Sequence, residues 1–393
     1  VVIIVSALGK TTNALEAITN AYFNKTGKAA VLLEKLKQQH FAILAELFPA
    51  SNQEVYDSIN NTFVEIDWIL EDQPLDKYDY IYDQIVSIGE MAATKIVSAY
   101  LNHQNIPTQW IDVRDCIRTD NTYREGKVDW ELTQKNIALH VLPLLQNQFV
   151  LTQGFLGGTS ENYTTTLGRE GSDYTAAIFG YSLDAEEVTI WKDVSGVLNA
   201  DPRYFPEAQK IDTLSYHEAI EMTYYGASVI HPKTIKPLQN KKIPLHVRSF
   251  LSPAAEGTVI RDFPINDNQL MEMMTPVIVL KTNQILISMS AKDFSFIAED
   301  NLSYIFGILS SHRVKMNLMQ NAAISFSICA DNTENIPAAI NELSKSFTVK
   351  SNESLSLLTI RHYTEAVLES YTSGKNILLE QKSRQTVQVV IKN

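Results

Sequence analysis

The sequence predicts an α/β protein, a mostly parallel sheet between helical layers followed by a smaller module of different style. Three observations predict it. Strand-like and helix-like segments alternate across about the first 250 residues, the pattern of a parallel sheet that takes its ligands at strand C-terminal ends. A glycine-rich stretch, Gly154 to Asp173, joins the apolar run Phe149-Val150-Leu151 to a helical pattern from Tyr174 onward. Beyond Thr275-Pro276, short strands and helices follow in the order strand, helix, strand, strand, helix, strand, the split βαβ pattern of a ferredoxin-like module.

The totals bound the function. A chain of 393 residues makes two or more domains, and 45 % hydrophobic with 20 % charged content is ordinary for a globular protein. A net charge of -12 argues against a nucleic-acid partner, which needs a basic face. An anionic ligand then requires local arginine, lysine or a metal ion. Cys116 and Cys329 suggest no disulfide framework and point to a reducing compartment. No apolar stretch reaches transmembrane length and no signal peptide opens the chain, so the expectation is a soluble, cytoplasmic protein. The chain opens on a buried-strand pattern, Val1 to Val5, without methionine, and a segment upstream is expected.

After that strand, Ser6-Ala7-Leu8-Gly9-Lys10-Thr11-Thr12-Asn13 reads as a glycine turn with capping residues, leading into a helix with Leu15, Ile18 and Tyr22. Gly9-Lys10-Thr11 invites a P-loop reading, but Ile4 stands where that motif needs its first glycine. Helical patterning then dominates to about Asn102. Ser87 and Glu90 stand in the S-x-x-E relation of a capping box, which alone accounts for the glutamate. Thr108 to Val113 reads as a strand, Asp112, Arg114 and Asp115 at its end as functional residues or, by preference, a solvated loop, and Lys135 to Leu145 as a helix. The stretch from Gly154 to Asp173 carries the equipment of a phosphate cradle: glycines, the hydroxyls of Thr164, Thr165 and Thr166, and a helix N-terminus. Arg169 supplies a fork for a carboxylate or phosphate, and Asp173 is either the helix N-cap or the organiser of a cation or lysine. Val188 to Trp191 is the next strand. Lys192-Asp193 at its end, the Gly196 turn and Pro202-Arg203 suit a nucleotide, or equally turn chemistry and exposed charge. His231 reads as structural, since no ligand partner stands at metal spacing. Ile243 to Phe250 closes this part. Short strands at Val277 to Leu280, Ile285 to Met289, Val314 to Leu318, Ile324 to Ile328 and Phe347 to Val349 follow, with helices at Leu302 to Leu309 and Ile336 to Leu343. After Leu355 to Ile360 a second round begins, with a helix near Glu365 to Ser370, but the tail ending in Val387 to Ile391 is short for a full copy.

Four of these segments, in this order, resemble aspartate kinases of the amino-acid kinase family with tandem ACT regulatory domains. They are Ser6 to Asn13, Thr164 to Tyr174, Trp191 to Arg203, and Gly226 to Pro232. The resemblance implies a kinase domain over 1–260 lacking its first strand, one ACT domain over 276–350 and a second, incomplete one over 351–393. It implies transfer of the γ-phosphoryl group of ATP, with Mg²⁺ on the phosphates, to the side-chain carboxylate of L-aspartate. Arg169 then holds the α-carboxylate of aspartate and Glu90 its ammonium group. Ser6, Thr12, Phe155 and Ser172 complete the amino-acid pocket, and Asp173 and Arg169 carry the chemistry. Lys192, Asp193, Gly196, Pro202, Arg203, Ser228 and Val229 lie along the nucleotide. No residue is assigned as a protein metal ligand. An amino-acid effector, lysine or threonine, is expected near Met289, Met316, Asn317, Gln320 and Asn321, with homodimers or larger homo-oligomers formed through the ACT domains.

Three departures from the family pattern qualify this reading. The family's Lys-Phe-Gly-Gly-Thr-Ser strand-end motif is absent from the chain. Leu198 and Ser228 replace a frequent tyrosine and lysine near the nucleotide, and Gln320-Asn321-Ala322-Ala323 stands where lysine-inhibited relatives carry a Ser-Glu pair. Two alternatives follow: a non-catalytic amino-acid sensor, or an amino-acid kinase acting on glutamate derivatives. Calorimetric binding of aspartate against glutamate separates the second.

Overall fold

The computed structural model describes residues 1–50, 52–227, 230–262, 275–293 and 295–392. The chain folds into two compact units: Val1–Trp191 with Ile230–His246, and Lys192–Val229 with Val247–Asn393.

In the first unit, β1 (Val2–Val5) leads through the Gly9 turn to a run of five helices: α1 (Thr11–Phe23), α2 (Ala29–Leu47), α3 (Gln53–Glu71), α4 (Tyr78–Val86) and α5 (Ile88–His103). Apolar residues at helical spacing, among them Leu15, Leu33, Leu44, Phe63 and Ile85, form one core between these helices. β2 (Thr108–Trp110) and α6 (Val113–Cys116) follow, then α7 (Trp130–His140), β3 (Phe149–Gln153), a hairpin of β4 (Leu156–Gly158) and β5 (Thr164–Thr166), and α8 (Gly171–Ser182). β1 and β2 both pair in parallel with the central β3. A second core joins Val113, Ile137 and Val150 to Ile178 and Phe179 of α8. The strand expected over Thr108 to Val113 stops at Trp110, because Asp112 caps α6 by accepting from the Arg114 N–H at 3.0 Å. Nor is that stretch a solvated loop: the Arg114 guanidinium forks onto Asp112 and donates to Thr164 Oγ1 at 3.0 Å. α7 begins earlier than expected because Asp129 caps it, its carboxylate accepting from the Leu132 N–H at 3.0 Å. It also ends earlier, before Pro143, which cannot continue a helix. After β6 (Val188–Lys192) the chain enters the second unit for β7 (Thr213–Leu214) and α9 (Tyr216–Tyr225). It returns for α10 (Pro232–Lys241), whose N-cap is His231, and crosses over again within β8 (Leu245–Ser249).

The second unit continues with β9 (Thr258–Ile260), which pairs in parallel with β7. Then come β10 (Val277–Ala291), α11 (Glu299–Ser311), β11 (Met316–Asn321), β12 (Ser325–Asp331), α12 (Ile336–Ser346), β13 (Phe347–Arg361), α13 (Glu365–Thr372), β14 (Asn376–Lys382) and β15 (Thr386–Lys392). These strands make one six-stranded antiparallel sheet in the order β11-β12-β10-β13-β15-β14. The pairs of short strands expected around residues 281 and 352 are single long strands, β10 and β13, paired along their whole lengths with a bulge near Gln284. Separate clusters of buried residues lie along this sheet, one of them Leu286, Leu318, Leu355 and Val390 among the strands themselves. Ile285, Ile287 and Met289 pack with α11 and α12, and Ile278, Leu358 and Ile360 pack with Leu368 of α13. The boundary expected near residue 350 therefore falls inside β13. The C-terminal strands β14 and β15 share their half of the sheet with Val277–Lys281. Among the described residues, no helix is long and apolar enough to cross a membrane.

Candidate active site

The C-terminal end of β1 meets the N-termini of three helices. Ser6, immediately beyond β1, donates its hydroxyl proton to Ser172 Oγ at 2.7 Å, in the first turn of α8. The approach is close because residue 154 is glycine: a Cβ there would stand 2.5 Å from Ser172 Cβ. Gly89 does the same for α5, since a Cβ would stand 3.0 Å from Thr11 Cγ2 and 3.2 Å from Ala7 Cβ. Thr12 is half-buried in the first turn of α1. Phe155 sits at φ +69°, a strained conformation for an aromatic residue, held by its N–H donating to Thr175 Oγ1 at 3.0 Å. Its ring covers Gly171, where a Cβ would come within 2.5 Å.

Glu90 is the electrostatic centre of this region. It is 3 % exposed, and its carboxylate accepts from the backbone N–H groups of Ala7 and of Glu90 itself. Its Oε2 is buried and has no hydrogen-bond partner among the described residues. Burial outweighs the two backbone hydrogen bonds and pushes its carboxyl up to about 8. The capping box expected with Ser87 does not form. Ser87 has helical φ and ψ, so α4 and α5 run on into one another, and its hydroxyl donates to the Gln84 carbonyl at 3.1 Å. Glu90 is thus left without the role a capping box would have given it.

The threonine triplet is no phosphate cradle. Thr164, Thr165 and Thr166 are 4 %, 0 % and 0 % exposed, and each hydroxyl is engaged inside the protein. Thr164 Oγ1 accepts from Arg114, Thr165 Oγ1 shares a 2.6 Å hydrogen bond with Thr119, and Thr166 Oγ1 donates to Asp83. Gly157 and Gly158 likewise make room for Thr119 and the Arg114 carbonyl. Asp173 is not the N-cap of α8: the helix begins at Gly171 after Glu170 at φ +55°, which places Asp173 in the first turn. Arg169, between Gly168 and Glu170, is exposed and makes no ion pair among the described residues.

The nucleotide candidates fall in the second unit. Lys192 ends β6, its carbonyl accepting from the Phe250 N–H at 2.9 Å, and Asp193 is exposed beside it. Gly196 has a packing reason, since a Cβ would stand 2.6 Å from Thr258 Oγ1. Pro202 and Arg203 are exposed, and the Arg203 guanidinium forks onto Asp201 at 2.6 to 3.1 Å. Ser228 and Val229 lie outside the described residues.

The effector candidates divide. Met289 is fully buried in the core beneath the sheet and has no surface to offer. Asn317 is occupied: its Nδ2 donates to Gln284 and Asp331, both at 2.9 Å, and its Oδ1 accepts from Lys281 Nζ at 2.8 Å. Met316 lines a small hollow with Asn317, Lys281, Tyr224 and Tyr225, whereas Gln320 and Asn321 are exposed on the edge strand β11.

Sequence reasoning missed the residues that hold the site's frame: Asp83, Gln84, Arg114 and Thr119. The available signal was Asp83 itself, a carboxylate beside Gln84 in the otherwise apolar and aromatic run from Tyr80 to Val86.

The chain belongs to the amino acid kinase family, whose sequence profile matches residues 1–249. Within that family it is similar to aspartokinases. Lysine-sensitive aspartokinase 3 of Escherichia coli (strain K12) is 32 % identical over 336 residues, 84 % of this chain and 72 % of that protein. The crystal structure of E. coli aspartokinase III in complex with aspartate and ADP (R-state) superposes with a TM-score of 0.82 at 28 % identity, covering 100 % of this chain and 89 % of that one. Its complex with lysine and aspartate (T-state) gives 0.81 at the same identity and coverage. The Zea mays bifunctional aspartokinase/homoserine dehydrogenase 1 is longer: it is 27 % identical over 83 % of this chain, which spans 36 % of its length.

Proposed function

We propose that the protein is an aspartate kinase, moving the γ-phosphoryl group of ATP to the side-chain carboxylate of L-aspartate to give 4-phospho-L-aspartate. The observation that carries this reading is Glu90, a buried carboxylate with one oxygen unsatisfied. Such a group calls for a small cation with several N–H donors, and the ammonium of an α-amino acid is one. Arg169, exposed and unpaired among the described residues, then takes the α-carboxylate through its fork. Ser6, Thr12, Phe155 and Ser172 complete the pocket for the amino acid.

The chemistry asks for little beyond placement. A model aspartate carboxyl has a pKa of about 3.9, so the nucleophile is already ionised and no general base is needed. One carboxylate oxygen forms the new bond to the γ-phosphorus, the bond to the bridging oxygen of ADP breaks, and ADP leaves with that electron pair. Catalysis is then positioning plus neutralisation of charge on the transferring group. Lys192, Asp193, Gly196, Pro202, Arg203, Ser228 and Val229 are the proposed nucleotide contacts, and a contact to Arg203 has to share it with Asp201. Among the described residues no cluster of three or more His, Cys, Asp or Glu side chains could cage a metal. Mg²⁺ carried on the phosphates needs one or two carboxylates, and Asp173 is the residue that would hold it. When bound, the ion screens the phosphate charge.

Control by an amino acid, lysine by analogy with the E. coli relative, is proposed for the six-stranded ACT sheet. Pairing of copies through that sheet and a cytoplasmic location belong to the same reading, and both cysteines are free and buried.

The direct test is formation of aspartyl hydroxamate from ATP, Mg²⁺, aspartate and hydroxylamine; product from another acid and none from aspartate overturns the substrate. Arg169→Ala should raise the KM for aspartate by about ten- to a hundredfold, the worth of a charge-assisted fork, with KM for ATP within about threefold. An aspartate KM that stays put removes Arg169 from the α-carboxylate.

A further inference from the structure

We infer that Asp83 is a positioning residue for the amino-acid substrate, setting the distance between the group that reads its ammonium and the group that reads its α-carboxylate. The inference rests on the aspartate kinase reading above.

Asp83 is fully buried on α4, and its carboxylate accepts three hydrogen bonds from two other parts of the chain. Oδ2 takes the backbone N–H of Thr166 and that of Arg124, each at 2.9 Å, and Oδ1 takes the Thr166 hydroxyl at 2.8 Å. Its neighbour Gln84 adds a two-way backbone pairing with Thr164, accepting from its N–H at 3.2 Å and donating to its carbonyl at 2.9 Å. The Arg124 guanidinium lies 4.4 Å from the Tyr82 ring centroid, over the same helix. Burial pushes the Asp83 carboxyl up to about 6, against the hydrogen bonds from Arg124 and Thr166, which leaves it ionised at neutral pH and a strong acceptor.

What these bonds fix is the start of the Arg169 loop. The Thr166 carbonyl accepts from the Gly126 N–H at 2.9 Å, and the Leu167 N–H donates to the Phe155 carbonyl at 2.8 Å. Gly168 follows at φ +79°, packed against the Arg124 carbonyl, and Glu170 at φ +55° leads into Gly171 beneath the Phe155 ring. Arg169 itself has no ion pair among the described residues, so the backbone on either side decides where its guanidinium points. The helix at the other end of these hydrogen bonds continues through Ser87 into α5 and reaches Glu90 about two turns on. One buried carboxylate therefore ties the loop of Arg169 to the helix of Glu90. A shift of about 1 Å between two groups that clamp one small zwitterion costs on the order of a hundredfold.

The test is steady-state kinetics of the full chain, with wild type, Asp83→Asn, Thr166→Val and Thr166→Ser compared. Asparagine keeps the shape but removes the charge: its oxygen takes the two backbone N–H groups as a neutral acceptor, and its amide N–H turns to the Thr166 hydroxyl, which then has to accept. Asp83→Asn should raise the KM for aspartate by at least about tenfold while the KM for ATP stays within about twofold. Thr166→Val should raise the aspartate KM by about three- to tenfold, and Thr166→Ser, which keeps the hydroxyl, should restore the wild-type value. Should Asp83→Asn fail to fold, the valine and serine pair decides. Equal rises in both KM values, or valine and serine variants that behave alike, would show a structural role only and overturn the inference. Wild-type chain that makes no aspartyl hydroxamate sinks the functional reading instead, a separate outcome.

Discussion

Glu90→Gln should raise the KM for aspartate by about ten- to a hundredfold, the loss of a charge-assisted hydrogen bond of about 1.5 to 3 kcal/mol, and should flatten its pH dependence. The sign follows from the raised carboxyl, at about 8 in the free protein. The substrate ammonium binds the carboxylate form, so below pH 8 binding has to expel a proton from Glu90. In the wild type the aspartate KM should therefore rise by about tenfold for each pH unit lost between 8 and 6.5, and level off above 8. The glutamine variant has no proton to expel and should show a weak, nearly level profile. Aspartate KM measured from pH 6.5 to 8.5 decides it, and a level wild-type profile would remove Glu90 from the ammonium.

The second large effect concerns stability. Arg361 of β13 forks onto Glu218 of α9 at 2.7 and 2.8 Å and reaches Glu221 at 2.8 Å. Arg361 and Glu218 are 4 % and 3 % exposed. His362 Nε2 lies 3.0 Å from the same Glu218. Arg361→Met should cost about 3 to 5 kcal/mol, because it leaves a buried carboxylate facing a second one, and should lower the melting transition of this unit by roughly 10 °C. Arg361→Met with Glu218→Met should recover most of that loss, since an apolar pair of similar volume carries no unpaired charge. A single variant within about 1 kcal/mol of wild type in calorimetric unfolding would refute the proposed weight of the cluster.

The same cluster predicts acid sensitivity. Burial raises the Glu218 carboxyl, but the hydrogen bonds and charge of the Arg361 fork, with the His362 ring beside it, outweigh it and bring the group down to about 2. A depressed carboxylate contributes its stability above the unfolded value of about 4.3 and loses it as pH falls toward 2, here about 3 kcal/mol. Removing Arg361 should shrink that acid-dependent loss, which urea unfolding between pH 5 and 2.5 would read.

Much of this was legible in the residues. Periodicity marked β1, α1, α8 and the strand-helix order of both halves, because a helix or strand must present its apolar residues at its own repeat to reach a core. Motif order pointed to the family and, through the resemblance, to Glu90 and Arg169. What the residues left open were the choices that depend on what lies within 3 Å. A threonine triplet beside glycines suits phosphate as well as it suits Arg114, Thr119 and Asp83, and only folding brought those partners to it. A capping box at Ser87 is sound local chemistry, but it lost once α4 ran on through Ser87 into α5. Two short strands near residue 281 differ from one long strand by a bulge, and the pairing with β13 across the whole sheet decided it. The ties from Asp83 to Thr166 and from Glu218 to Arg361 join residues far apart in sequence. Alternation and spacing carry no record of such ties, because a buried polar group takes whichever partner the tertiary fold delivers.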